Sequence, residues 1–135
     1  MELNFLARLA VSLAIIAAGF LTFKAVTLLN LKKVSNNSPW LKTGKAGKKT
    51  ILYFTTPDCV HCRTTQRPAL SRLQELLGDE VDVVEVNAYE NHQMAKEWGV
   101  LSIPTIFILN KNGTPLLVNY GVTSAEKLYN QLQNV

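Results

Sequence analysis

The residues of this chain whose type and spacing best suit covalent chemistry are its two cysteines, Cys59 and Cys62, separated by Val60 and His61. Cysteines at this spacing lie one helical turn apart, close enough to form a disulfide with each other. A thiolate is the form that attacks disulfides, and the helix dipole favours a thiolate at a helix N-terminus. The spacing therefore predicts thiol–disulfide exchange, with Cys59 as the nucleophile and Cys62 resolving the mixed disulfide.

His61 and Asp58 flank the first sulfur with opposite effects. As an imidazolium, His61 would stabilise the Cys59 thiolate and make the disulfide a stronger oxidant. Asp58 would oppose the thiolate if its side chain faces the sulfur. A solvent-exposed His61 without a catalytic role is the alternative. The direction of the chemistry, whether reductase, oxidase or isomerase, therefore stays open.

A second class of function would use the same side chains as metal ligands. Cys59, His61 and Cys62, joined by His92, offer the nitrogen and sulfur donors that zinc and copper accept. Zinc sites usually draw their ligands from two separated pairs, and His92 lies beyond the next predicted strand. We therefore keep zinc or copper binding as the alternative function and expect no metal centre.

Hydrophobic periodicity predicts the elements that position the cysteines. Residues 50–55 are β-branched and aromatic and predict a buried strand. A helix with leucines at 70, 73, 76 and 77 joins it to a second strand at 81–86, which predicts a parallel pair. There follow a helix at 90–98, a strand at 105–109, a hairpin at Asn112 and Gly113, a strand at 116–120, and a final helix opened by a capping box from Thr123 to Glu126. The prediction is an α/β fold of order βαβαββα with a mixed four-stranded sheet.

The first 31 residues form a separate apolar segment. Residues 9–31 carry one charge, Lys24, and are long enough for a helix that crosses a bilayer core of about 30 Å. The lysine can extend to the headgroups. A cleaved signal peptide is the alternative, but no convincing cleavage site follows Phe23. We predict a transmembrane anchor at 1–31, a basic flexible linker at 32–49 and a folded domain at 50–135.

Basic charge is concentrated outside the predicted domain. Residues 1–49 hold eight lysines and arginines against one acid, whereas residues 50–135 hold six against nine. The net charge of +4 therefore does not describe the domain. Because a nucleic-acid binder would carry its positive patch on the domain itself, we expect no nucleic-acid partner.

Two cues to the side of the membrane disagree. The positive-inside rule counts Arg8 before the span against Lys32 and Lys33 after it, and would place the domain in the cytoplasm. An apolar segment at the very N-terminus usually serves export. We favour a single-pass protein of the cell membrane with an extracytoplasmic domain.

Residues 50–135 resemble the thioredoxin superfamily in the Cys-x-x-Cys after a strand, in the βαβαββα order, and in Ile103 and Pro104 before the third strand. The resemblance implies a thioredoxin-like fold, here preceded by an N-terminal hydrophobic helix, and thiol–disulfide oxidoreductase activity without a dissociable cofactor. It also implies that Pro104 is cis beside the cysteines and that the Ile103 backbone binds substrate. The implied partners are protein thiols and disulfides, or a redox partner that is soluble or in the same membrane. A non-catalytic adaptor is disfavoured because both cysteines are present.

Several positions depart from the family pattern, among them Tyr53, Glu85 and Pro68. Tyr53 stands where thioredoxins bury an acid, and Glu85 stands where they bury a lysine. We hypothesise that Glu85 accepts the proton of Cys62, because partial burial of a carboxyl group favours its protonated form. The alternative is a glutamate that points into solvent. Pro68 comes one residue later than the family's helix proline, which predicts a one-residue bulge in that helix.

Overall fold

The computed structural model describes residues 2–37 and 47–135, and the predicted order of elements is confirmed there. The helices are α1 (Glu2–Asn37), α2 (Arg67–Leu77), α3 (His92–Glu97) and α4 (Ala125–Gln133). The strands are β1 (Lys49–Thr55), β2 (Val81–Asn87), β3 (Thr105–Leu109) and β4 (Pro115–Tyr120). From β1 onward the order is βαβαββα, and the sheet is mixed and four-stranded, as predicted.

The sheet brings the loops around the cysteines to one edge. Its strand order is β2-β1-β3-β4, with β1 parallel to β2 and β3 antiparallel to both of its neighbours. The carboxyl ends of β1, β2 and β4 therefore lie beside the amino end of β3. Cys59 follows β1, Pro104 precedes β3 and Gly121 follows β4, so the topology alone places these three residues at the same edge.

The two faces of the sheet pack separate apolar clusters, because successive side chains of a strand point to opposite faces. Phe54 and Phe107 belong to one cluster, together with Trp98, which is the residue directly after α3. Tyr53 and Cys62 belong to the other, which also includes leucines of α2 and α4: Leu70, Leu73, Leu128 and Leu132. The buried cysteine is therefore part of the core beneath α2 and α4.

Helix α1 has the length and composition predicted for the N-terminal segment. Its stretch Asn4–Lys32 spans 29 residues with a mean hydropathy of 2.1, enough for a helix that crosses a membrane. The helix continues to Asn37, past the predicted anchor boundary, because the lysines after residue 31 are good helix formers and the first proline is Pro39. The boundaries at 31 and 49 stay predictions, and of the predicted linker at 32–49 the part at residues 38–46 lies outside the described residues.

The helix that carries Cys62 contains the bulge predicted from Pro68. It begins at Val60, and the segment Cys62–Gln66 is π-helical before it continues into α2. The N–H of Arg67 donates to the carbonyl oxygen of Cys62, five residues earlier. A π-helical turn holds one residue more than an α-helical turn, which accommodates the late proline.

The N-cap of α4 is one residue later than the predicted capping box. Ser124, not Thr123, caps the helix, and its hydroxyl accepts a hydrogen bond from the N–H of Lys127 at 3.2 Å. Thr123 is buried, and its backbone is hydrogen-bonded to Gln66 instead. The prediction of Thr123 as the cap is therefore wrong: the capping-box pattern favoured it because Glu126 follows three residues later, but its backbone is engaged by Gln66 of a distant helix.

Candidate active site

Cys59 and Cys62 form a disulfide at the start of the helix that follows β1, with their Cα atoms 5.2 Å apart. Cys62 is fully buried, whereas Cys59 is partly exposed. The N–H of Cys62 donates to Cys59 Sγ at 3.1 Å. This is a backbone donor of the kind that stabilises an anion at a helix N-terminus. An incoming sulfur therefore meets Cys59 first, and the charge that develops on Cys59 has a donor in place.

Ile103 and Pro104 lie at the same edge of the sheet, and the peptide bond between them is cis, as the resemblance implies. Ile103 and Cys59 both pack against the buried cluster that contains Cys62. The Pro104 carbonyl accepts a hydrogen bond from the N–H of Gly121 at 2.8 Å. Gly121 has a φ of 84°, a conformation that side chains disfavour. The loop before β3 is thus supported by the loop after β4.

His61 and Asp58 are exposed on either side of Cys59. Charges that face solvent interact weakly, because water screens them. The backbone N–H of Cys62 therefore influences the Cys59 sulfur more directly than the side chains of His61 and Asp58 do.

Tyr53 supplies a buried hydroxyl on the face of β1 beneath α2. The side chain is fully buried, and its Oη forms no hydrogen bond of standard geometry with any described residue. Burial raises the pKa of Tyr53 above its ordinary value of 10.0, and the negative charge of Glu85 raises it further. The nearby Thr55 side chain and the charge of Arg67 oppose this shift. The phenol therefore stays protonated at neutral pH, so it cannot act as a base there, although its hydroxyl can still donate or accept a hydrogen bond.

Glu85 is the register partner of Tyr53 on β2, but its side chain is not in the buried cluster. It is 43% exposed and accepts a hydrogen bond from the guanidinium of Arg67 at 2.6 Å. This ion pair raises the pKa of Arg67. The exposure is what the alternative of a solvent-facing glutamate predicts. No local pattern predicted Arg67 as the partner, because the two residues are 18 positions apart in different elements.

The side chains considered for a metal are not gathered in the structure. Within residues 2–37 and 47–135, no group of three or more His, Cys, Asp or Glu side chains is placed to hold a metal ion. His92 is the first residue of α3 and is exposed. Both sulfurs are committed to the disulfide.

We expect Tyr53→Phe to make the chain more resistant to alkaline unfolding. A group whose pKa is raised by folding contributes stability that is complete below its unfolded pKa and is lost as the pH rises above it. For Tyr53 this loss begins near pH 10.0. The variant also removes an unpaired buried hydroxyl, so its free energy of unfolding at neutral pH should rise by about 1 kcal/mol.

The measurement is guanidinium unfolding of the full chain in detergent at pH 7 and at several values above pH 9. Tyr89→Phe is the matched control, because Tyr89 is 66% exposed. If Tyr53→Phe loses stability with rising pH as steeply as Tyr89→Phe and the unmodified chain do, the buried phenol does not titrate as described.

Comparison with known proteins gives one consistent result. A family model for the thioredoxin-like domain matches residues 41–135. Thioredoxin from Rhodospirillum rubrum is 34% identical over 99 residues, which cover 73% of this chain and 93% of the relative. Thioredoxin from Bacillus subtilis is 33% identical over 75 residues, which cover 56% and 70% respectively.

Solved structures agree with the sequence matches. A thioredoxin-2, described as a component of the malaria parasite protein secretion machinery, superposes with a TM-score of 0.63 and 26% identity, covering 68% of this chain and 87% of its own. StoA from Bacillus subtilis superposes with a TM-score of 0.55 and 25% identity, covering 67% and 86%. With the disulfide at the start of a helix and a cis-proline at the same sheet edge, these matches show that the chain belongs to the thioredoxin superfamily and is a thiol–disulfide oxidoreductase.

Proposed function

We propose that this oxidoreductase is anchored in a membrane by α1 and exchanges its Cys59–Cys62 disulfide with protein substrates or a redox partner there. The observation that carries the proposal is the asymmetry of the two sulfurs. Cys59 is partly exposed and receives the N–H of Cys62, whereas Cys62 is fully buried. Such a pair suits one sulfur to intermolecular attack and the other to intramolecular resolution.

In the reducing direction, the Cys59 thiolate attacks one sulfur of a substrate disulfide and releases the other as a thiolate. Cys62, as a thiolate, then attacks Cys59 Sγ, which forms the Cys59–Cys62 bond and releases the second substrate thiolate. Two electrons pass from the chain to the substrate. In the oxidising direction the steps run backwards, and Cys62 leaves as the thiolate when a substrate thiolate attacks Cys59.

The Ile103 backbone and Pro104 would hold the substrate beside Cys59. They lie at the same sheet edge as the disulfide, and Ile103 packs against the cluster that contains Cys62. Backbone hydrogen bonds to an extended substrate segment would give affinity without demanding a particular sequence. In this proposal His61 has a lesser, electrostatic part, since it is exposed to solvent beside Cys59.

Membrane anchoring and an extracytoplasmic domain are tested by location. We would express the full chain in bacterial cells, reduce it, label intact cells with a membrane-impermeant maleimide, and extract the membranes with alkaline carbonate. Cys59 is the expected site, because the chain has two cysteines and the other is buried. Labelling in intact cells with retention in the membrane supports the proposal. Release into the soluble fraction contradicts the anchor, and labelling only after lysis contradicts the orientation.

Glu85 enters the proposal as the proton acceptor for Cys62 during resolution, because it is the register partner of Tyr53, which lies in the same buried cluster as Cys62. We expect Glu85→Gln to slow resolution of the mixed disulfide by about tenfold near pH 7 and by less at pH 9, where hydroxide substitutes for the base. The measurement is the rate at which a mixed disulfide at Cys59 collapses across this pH range. Glu75→Gln, on the exposed side of α2, is the control. Equal rates at every pH for Glu85→Gln and the control would leave Glu85 only as the surface partner of Arg67.

A further inference from the structure

Gln66 is a fully buried polar residue in the π-helical segment that begins at Cys62. The other buried residues that follow it in α2 are apolar, Leu70 and Leu73. An amide group buried among apolar side chains is destabilising unless both its donor and its acceptor are paired. The contacts of Gln66 show how that requirement is met.

Both ends of the Gln66 amide are hydrogen-bonded to the backbone of Thr123. Gln66 Nε2 donates to the Thr123 carbonyl oxygen at 3.0 Å, and the N–H of Thr123 donates to Gln66 Oε1 at 2.8 Å. The amide thus forms the same pair of backbone hydrogen bonds that a neighbouring strand would form, although Gln66 and Thr123 are 57 residues apart in sequence. This two-point contact sets both the position and the orientation of the Thr123 peptide groups.

Thr123 belongs to the loop between β4 and α4, and the same loop supports the cis-proline. The N–H of Gly121 donates to the Pro104 carbonyl oxygen at 2.8 Å, and the Thr123 hydroxyl donates to the Gly121 carbonyl oxygen at 3.3 Å. Hydrogen bonds therefore run without a break from the helix of Cys62 through Gln66 and this loop to Pro104. The Gln66 side chain therefore links the helix that carries the cysteines to the loop that carries Pro104.

We propose that Gln66 is a positioning residue that aligns the Ile103–Pro104 loop with the cysteine pair, so that a bound protein disulfide meets Cys59 in register. The inference rests on the proposed function, in which this loop receives the substrate backbone. Gln66 touches neither sulfur nor substrate, and it acts through Thr123 and Gly121. Its loss should weaken the productive binding of protein substrates more than it changes the sulfur chemistry.

A purely structural role would have a different signature. If Gln66 only stabilised the core, its replacement would lower the free energy of unfolding, and the folded fraction would keep its Michaelis constant for a protein disulfide. A positioning role changes that constant instead, because the loop and the cysteines are no longer held in one arrangement. Small reagents react with the cysteines without binding to the Ile103–Pro104 loop, so their rates distinguish a positioning role from a change in the sulfur chemistry.

The decisive variant is Gln66→Met, which keeps the length of the side chain and removes both hydrogen-bonding ends. We would measure reduction of insulin by the full chain in detergent with dithiothreitol as the electron donor, alkylation of reduced Cys59 by iodoacetamide, and reduction of the disulfide by dithiothreitol alone. We expect the KM for insulin to rise about tenfold, the kcat to stay within about twofold, and both small-reagent rates to stay within about twofold. Gln74→Met, an exposed position on α2, is the matched control and should match the unmodified chain.

An unchanged KM for insulin in folded Gln66→Met would overturn the inference, as would equal losses with insulin and with iodoacetamide. If the variant does not fold, hydrogen exchange in the Cys62→Ser chain, which cannot resolve its mixed disulfide with insulin, carries the test. The amides of Gly121 and Thr123 should then gain protection together when insulin is bound as a mixed disulfide, and independent changes would overturn the inference. If the unmodified chain itself fails to reduce insulin, the proposed function fails rather than the role of Gln66.

Discussion

Replacing Cys59 with serine is expected to lower the rate of protein disulfide reduction by a factor on the order of 10³ or more. A serine hydroxyl is not ionised at neutral pH and does not attack a disulfide, so the first step is lost. The N–H of Cys62, which donates to the sulfur at 3.1 Å, would then face a neutral hydroxyl. The fold should be retained, because Cys59 is only partly buried.

Replacing Cys62 with serine should also abolish turnover, but the product that accumulates should differ from that of Cys59→Ser. Cys59 would still attack, but the buried position could no longer resolve the product, so a mixed disulfide would accumulate. The chain has two cysteines, and each variant therefore carries a single thiol whose state can be read by mass spectrometry of the intact chain. The roles of the sulfurs would be reversed if Cys59→Ser trapped substrate and Cys62→Ser did not.

Replacing Trp98 with alanine is expected to lower the free energy of unfolding by about 3–5 kcal/mol. The side chain is 1% exposed, and its ring centroid lies 5.0 Å from that of Phe107 and 6.2 Å from that of Phe54. Truncation would leave a cavity that these two rings cannot fill without moving. The free energy of unfolding of a native domain is about 5–15 kcal/mol, so Trp98→Ala would remove a large part of it.

The measurement is guanidinium unfolding of the full chain in detergent, followed by the circular dichroism of the sheet. Leu101→Ala is the control, because Leu101 is 70% exposed and its truncation should change the free energy of unfolding by no more than about 0.5 kcal/mol. Trp98→Phe should fall between the two, since it keeps an aromatic ring and removes an indole N–H without a partner among the described residues. Equal shifts for Trp98→Ala and Leu101→Ala would show that this cluster does not stabilise the sheet.

The local patterns of the sequence predicted the order of elements and the placement of the cysteines. Period-two and helical spacing are properties of short segments, and they marked β1, β2 and the leucine face of α2. Family resemblance indicated the π-helical turn, because Pro68 comes one residue later than the family's helix proline. The cis bond before Pro104 followed from family resemblance rather than from local pattern.

Only the tertiary structure decided which polar side chains pair across elements. The sequence predicted Thr123 as the start of the capping box of α4, whereas Ser124 caps the helix and the backbone of Thr123 is hydrogen-bonded to Gln66 of another helix. The sequence left open whether Glu85 is partly buried or points into solvent, and in the structure it is exposed and paired with Arg67. The physical reason is that backbone periodicity depends on near neighbours, while the partner of a polar side chain depends on which distant segments the packed core brings within about 3 Å.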